Sequence, residues 1–320
     1  GISSNDIQHN NYCVCTCCSF SGNVKDNSNL SNSSQTNSNF QTMANYLTTG
    51  FWADFGSGSR EWNLGSFSGY YPKEGTITYS LGRNEYDSNG LTAGVSRLYR
   101  ESFKLYEETL GINFQEIDSY NTNADIDIID NGGYWSAYAG SSSTNGQIRW
   151  AYINVGEGWT NYYGKSLGTY SLQTVHHEIG HAIGLGHQGD YNGSASYGRD
   201  AKFVNDSWQA SMMSYFSQSE NDYVNADRAF LMTPSAVDWI ALDDIYSDYS
   251  GYGVSNAFNG DTIFGFNTNI SSSTSEIWSS FSSKIRTNAY CIVDGSGNDT
   301  LDLSEMTSND KIDLRPTDKI

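Results

Sequence analysis

Four of the five histidines crowd into Val175-His176-His177-Glu178-Ile179-Gly180-His181-Ala182-Ile183-Gly184-Leu185-Gly186-His187, at spacings that suit a metal ion. On a helix at 100° per residue starting from Leu172, the residues Leu172, Val175, Ile179, Ala182 and Ile183 cluster on one side, while His177 and His181 fall nearly opposite. The i, i+4 interval brings both imidazoles to one ion. Gly184 can adopt the positive φ that ends the helix and turns the chain, so that His187 supplies a third nitrogen. Three protein ligands leave a position open for water, the pattern of a catalytic rather than a closed structural zinc site. Glu178 points about 100° away from His177 and cannot share the ion comfortably, yet it can reach the activated water. That suits a general base, which takes a proton during attack on a peptide carbonyl and returns it to the leaving amine.

A bare HExxH arises by chance in on the order of one chain in a hundred, and the spaced Gly and third His lower this to on the order of one in 10⁵. The plainer alternative is a helix of satisfied surface histidines. His176 sits at the edge of the apolar side and reads as a packed ring or one behind the ligands. His9 lies in the N-terminal arm and carries no signal.

Other elements must hold this helix in place. Met43, Leu47 and Phe51 sit at helical spacing from about Phe40. Thr76 to Leu81 alternates as a strand, and Leu91, Val95, Leu98, Phe103, Tyr106 and Leu110 form the stripe of a long amphipathic helix closed by Gly111. Ile112–Ile117 and Ala124–Ile129 read as strands, the second ending in Asn131-Gly132-Gly133. Gly146 to Val155 reads as another, with Ile148, Trp150 and Tyr152 on one face. This order of elements describes an α/β or α+β layer rather than a bundle or sandwich.

HEIGHAIGLGH followed by Gly189-Asp190-Tyr191-Asn192 resembles the signature of the serralysins, secreted bacterial metalloproteases of the metzincin clan, and Ser211-Met212-Met213-Ser214-Tyr215 is similar to their Met-turn. The resemblance implies an α+β fold: a catalytic domain with a twisted mixed sheet on long helices and zinc in a cleft, then a short, truncated parallel β-roll. It implies that Met213 lies beneath the zinc, and that Tyr215 can bind zinc and swing away to stabilise the oxyanion. It continues through residues 234–246, where Thr233 can N-cap a helix with Pro234 at N1 and Val237, Ile240, Ala241 and Ile245 on its inner face. Two departures stand out: Gln188 where the family usually has Pro, and a Cys-rich arm without counterpart.

Asp294-Gly-Ser-Gly-Asn-Asp299-Thr-Leu-Asp302 matches the nine-residue calcium repeat GGxGxDxUx apart from its first Gly; alone, one copy also fits a plain turn. The resemblance to a β-roll entry in Asn259 to Asn267 implies a structural Ca²⁺. Backbone carbonyls of Phe258, Gly260 and Thr262 would bind it, completed by Asp294, Ser296 and Asp299. The chain stops at Ile320 after one repeat, so a shortened roll is expected.

The 320 residues carry 17 Lys plus Arg against 36 Asp plus Glu, a net charge of −19, which argues against nucleic acid or an anionic membrane as partner. No apolar run approaches the roughly 20 residues that span a bilayer, and Gly1-Ile-Ser-Ser shows no signal peptide, so a soluble, already processed chain is expected. Four of the five cysteines lie in Cys13-Val-Cys15-Thr-Cys17-Cys18; they can form disulfides, stay free, bind a thiophilic metal or reach Cys291. Residues 19–39 are mostly Ser and Asn and cannot offset their ordering entropy.

The expected organisation is a flexible arm over 1–39, a catalytic domain over 40–250 and a calcium module over 251–320. The expected function is that of a secreted, monomeric zinc endopeptidase with one catalytic Zn²⁺, acting on extended protein or peptide substrates that pair with the strand Gly146–Val155. One rival is a calcium-dependent adhesive or scaffolding module with a vestigial protease domain. Another is a latent precursor in which a thiolate of the Cys cluster occupies the zinc.

Overall fold

The computed structural model describes residues 12–15 (backbone only), 38–66, 69–82, 87–118, 124–224 and 226–307. Strand β1 (Tyr12–Cys15) comes first, then helix α1 (Phe40–Asn45), a π-helical turn over Tyr46–Gly50 and helix α2 (Phe51–Asp54). Asn39 caps α1 by accepting the Thr42 N–H at 2.8 Å. Met43, Leu47 and Phe51, spaced as the sequence predicts, are all buried. Most of the expected flexible arm lies outside the described residues, as does His9; the part described, β1, is paired in a sheet.

Strand β2 (Thr76–Ser80) leads through helix α3 (Ala93–Leu110) to β3 (Asn113–Glu116), which lies parallel to β2. The α3 stripe packs on the sheet, with the Phe103 ring stacked on Tyr79 at 4.1 Å and tilted against Phe114 at 5.1 Å. Gly111 ends the helix at φ +74°. Strands β4 (Ile126–Ile129), β5 (Ala137–Thr144) and β6 (Gln147–Val155) complete a sheet in the order β3-β2-β4-β6-β5, parallel except for β5. This is the mixed sheet on helices that the resemblance implies.

Two expectations about β6 are corrected. It is not an edge strand: β4 and β5 flank it, and β5 forms the edge. Nor do Ile148, Trp150 and Tyr152 share a face. A bulge leaves Arg149 without a cross-strand partner, because Ser142 faces Trp150 and Ser143 faces Ile148. The extra residue resets the alternation, so Ile148 is buried with Ala151 and Ile153 while Trp150 is 47% exposed.

After β6 come α4 (Glu157–Tyr163), α5 (Tyr170–Ala182), the short α6 (Tyr197–Asp200), β7 (Phe230–Leu231) and α7 (Ala236–Tyr246). Helix α5 packs on β5 and β6 and carries the histidines. The carbonyls at and just beyond its C-terminal end, which an α-helix leaves unpaired, are closed by aromatic donors. Trp62 Nε1 donates to Ala182 O at 2.9 Å, the Tyr246 hydroxyl to Ile183 O at 2.8 Å and Trp52 Nε1 to Gly184 O at 2.9 Å.

Helix α7 starts later than predicted. Ser235, not Thr233, is its N-cap, in a capping box with Asp238; the Thr233 hydroxyl instead accepts the Cys291 N–H at 2.7 Å.

The C-terminal part comprises β8 (Ile263–Gly265), α8 (Glu276–Ser279), α9 (Phe281–Lys284), β9 (Asn288–Ala289), β10 (Cys291–Asp294) and β11 (Thr300–Asp302). Here β8 pairs parallel with β11, β7 parallel with β9, and β1 antiparallel with β10. The β7–β9 pair crosses the 250/251 boundary, and buried residues from both sides of it form one continuous core.

Candidate active site

His177 and His181 stand one turn apart on α5, and the chain leaves that helix at Gly184, whose φ of +117° excludes most other residues. A Cβ there would also lie 2.4 Å from Arg60 O. The turn delivers His187 to the other two rings, and the nearest donor atoms of the three lie within 4.8 Å of one another. Among the described residues they are the group so arranged.

Each ring is held from behind by a backbone carbonyl, which can only accept. His177 Nδ1 donates to Met212 O at 2.9 Å, His181 Nδ1 to Leu185 O at 2.8 Å and His187 Nδ1 to Tyr191 O at 2.8 Å. The proton is thereby fixed on Nδ1, and each Nε2 carries a lone pair toward the common point. His181 Nε2 and His187 Nε2 are only 3.0 Å apart. Two lone pairs so close repel each other, and a cation between them removes the repulsion. Burial keeps the rings neutral, pushing His177 down to about 4 and His181 to about 3 and holding His187 well below the usual range. The donor set fits zinc.

Glu178 is buried, with Oε2 unpartnered, and burial pushes its carboxyl up to about 8. A nearby dication would oppose that shift. The Tyr215 ring lies 4.6 Å from His187 and 6.2 Å from His177, centroid to centroid, and its hydroxyl accepts the Gly193 N–H at 3.2 Å. His176 points away: its Nε2 is 3.1 Å from Met232 O, and the ring is buried beside Tyr106.

Met213 is buried against α5 at Gly180, where a Cβ would meet Met213 Sδ at 2.9 Å and Met212 Cε at 2.7 Å. Glycine at 180 lets the methionine turn approach between the two helical histidines. The sequence reading misses the residue that holds this turn. Asp238, fully buried, accepts the Ser211 hydroxyl at 2.6 Å and the backbone N–H groups of Met212 and Ser235, each at 2.7 Å. Burial pushes its carboxyl up to about 7. The sequence signal was the Ser235-x-x-Asp238 capping box. Gln188 donates its backbone N–H to Met213 O at 3.3 Å and its Nε2 to Met43 O at 3.1 Å, bonds that proline cannot make.

The expected calcium ligands occupy two facing turns. Asn259 and Ser296 form a parallel bridge, Ser296 O accepts the Gly260 N–H at 2.7 Å, and Asp299 accepts the Thr262 N–H at 2.8 Å. Phe258 takes φ +41° at the start of its turn. Asp294 is pushed up to about 7 by burial and by the neighbouring Asp299, and its Oδ2 is buried without a partner. Cys291 is disulfide-bonded. The rest of the Cys cluster, and with it the expectation of a thiolate on the metal, lies outside the described residues apart from the backbone of β1. No helix among the described residues is long and apolar enough to cross a membrane.

The Matrixin family model matches residues 70–197, and the model for the Peptidase M10 serralysin C terminal matches residues 255–318. Metalloprotease AprA of Pseudomonas entomophila is 36% identical over 196 residues, which cover 55% of this chain and 38% of that protein. Serralysin C of Dickeya chrysanthemi is 33% identical over 174 residues, 51% of this chain and 33% of the relative. Serralysin B of the same organism is 29% identical over 265 residues, 76% and 52%. The chain thus spans between about a third and a half of the length of these curated relatives.

Proposed function

We propose, on the premise that this chain is a serralysin-like metzincin, that it acts as a secreted, monomeric zinc-dependent endopeptidase on extended protein or peptide substrates. One observation carries the reading: three Nε2 lone pairs converge on one point, and Glu178, next to His177 in the chain, is buried with one carboxyl oxygen unpartnered. Zinc bound there by His177, His181 and His187 would polarise the scissile carbonyl and acidify the attacking water. Glu178 then takes a proton from that water and passes it to the leaving amine. The Tyr215 phenol, free to exchange its contact with Gly193, donates to the carbonyl oxygen as negative charge develops. A substrate strand adds to the edge of β5, open among the described residues, which replaces β6 in that role. The intact site gives no support to the adhesive or scaffolding reading.

Metal analysis together with a casein assay tests this. Zinc near one per chain and cleavage abolished by chelator are expected; cleavage indifferent to chelator, or no cleavage by the zinc-loaded chain, sinks the reading.

The facing turns support a structural Ca²⁺ in a short parallel β-roll module over 251–320, bound by the carbonyls of Phe258, Gly260 and Thr262 with Asp294, Ser296 and Asp299. Two adjacent carboxyls with one buried, unpartnered oxygen suit a hard cation. Asp299→Ala should lower the midpoint of thermal unfolding in millimolar Ca²⁺ and change it little in chelator, since ligand binding stabilises by RT ln(1 + [L]/Kd). Equal calcium-induced shifts in wild type and variant would reduce this segment to a glycine-rich turn.

A further inference from the structure

Asp206 is a fully buried carboxylate that the chemistry above leaves unused. Both of its oxygens lie 3.2 Å from the Tyr191 phenol, which donates to them, and the Ser214 side chain lies beside the carboxylate. Tyr191 and Ser214 belong to the two loops that close the site.

Tyr191 supplies the carbonyl that accepts the His187 Nδ1–H. Its ring stacks on His187 with centroids 5.7 Å apart and packs on Tyr215 at 4.7 Å. Ser214 directly precedes Tyr215 in the chain, and its Oγ accepts the Phe216 N–H at 3.0 Å. Asp206 is itself anchored, since its N–H donates to Phe203 O at 3.2 Å and its carbonyl accepts Asn221 Nδ2 at 2.9 Å.

We propose that Asp206 is a positioning residue that fixes the His187 ring relative to the Tyr215 phenol by holding Tyr191, which packs on both. The inference rests on the zinc peptidase reading. Groups behind metal ligands set ring orientation and hence affinity. The turn has other supports: Trp208 donates its N–H to Phe216 O at 2.8 Å and its Nε1 to Ser214 O at 3.0 Å. Loss of the carboxylate therefore loosens the site without removing every contact of the turn.

The test measures zinc affinity by competition with a chromophoric chelator, the absorption spectrum of the Co²⁺-substituted protein, and kcat and KM on a peptide. The proteins are wild type, Tyr191→Phe, Asp206→Leu, their double variant and Asp206→Asn. Tyr191→Phe keeps the ring and removes only the donor, so it should fold. It and Asp206→Leu are each expected to weaken zinc binding about 10- to 100-fold, alter the Co²⁺ spectrum and lower kcat with KM little changed. Asp206→Asn, which keeps one accepting oxygen, should recover part of the loss. The double variant should match Asp206→Leu, because both changes break one link. Unchanged zinc affinity and Co²⁺ spectrum in Tyr191→Phe, or losses that add in the double variant, overturn the proposal. Wild type that binds no zinc overturns the peptidase reading and this inference with it; wild type that binds zinc beside indifferent variants overturns this inference alone.

Discussion

Glu178→Gln should keep zinc near one per chain and lose on the order of 10²- to 10⁴-fold in peptide hydrolysis. The substitution keeps the shape of the side chain. Glu178 Oε2 has no protein partner, so converting the carboxylate to an amide breaks no bond made through that oxygen. The variant loses the basic oxygen that accepts a proton from the attacking water. Zinc content, thermal unfolding and kcat measured on one preparation separate this from loss of metal or fold. More than a tenth of wild-type turnover in a zinc-replete variant would dismiss Glu178 as the base.

His187→Ala should weaken zinc binding on the order of 10³-fold. One of three ligands is lost from a site whose binding free energy, by analogy with zinc sites of known affinity, is on the order of 10 kcal/mol. His176→Ala is the control that separates the two buried histidines. His176 bonds Met232 O and faces the core, where burial pushes it down to about 3. Its removal leaves a cavity worth about 1–3 kcal/mol of stability and should not change zinc content. The opposite pattern, metal lost from His176→Ala and kept by His187→Ala, would mean that the wrong imidazoles have been assigned.

The histidine triad is legible in the sequence because coordination chemistry restricts both residue type and spacing: two rings one turn apart, a glycine to turn the chain, a third ring. Helix α3 is legible because one face of eighteen residues must be apolar. Strand β5 is not. Ala137-Tyr-Ala-Gly-Ser-Ser-Ser-Thr144 lacks the β-branched run of a buried strand, since an edge strand with one solvated face needs little apolar surface. The bulge at Arg149 is equally silent, because an inserted residue changes the facing of side chains without changing composition. Asp206 reads as one more acid in an acidic chain, and only the fold, by burying it against the Tyr191 phenol, separates it from the solvated majority, whereas Asp238 is marked in the sequence only by its place three residues after Ser235. The late start of α7 is a contest between two hydroxyl residues, and Ser235 becomes the cap once Thr233 is engaged with Cys291.

The aromatic donors that close the end of α5 also bear on when the histidine site is completed. Trp62, Tyr246 and Trp52 reach the carbonyls of Ala182, Ile183 and Gly184 across sequence separations of 120, 63 and 132 residues. A helix forms in well under a millisecond, whereas contacts of such range await closure of long loops. His177 and His181 can therefore line up on α5 early, while the turn that seats His187 is secured only when α7 has docked. During synthesis Tyr246 leaves the ribosome some sixty residues after His187, so the site is completed only once α7 has been made. Proteolytic competence is thus expected to arrive with the completed fold, sparing the unfinished chain from its own chemistry.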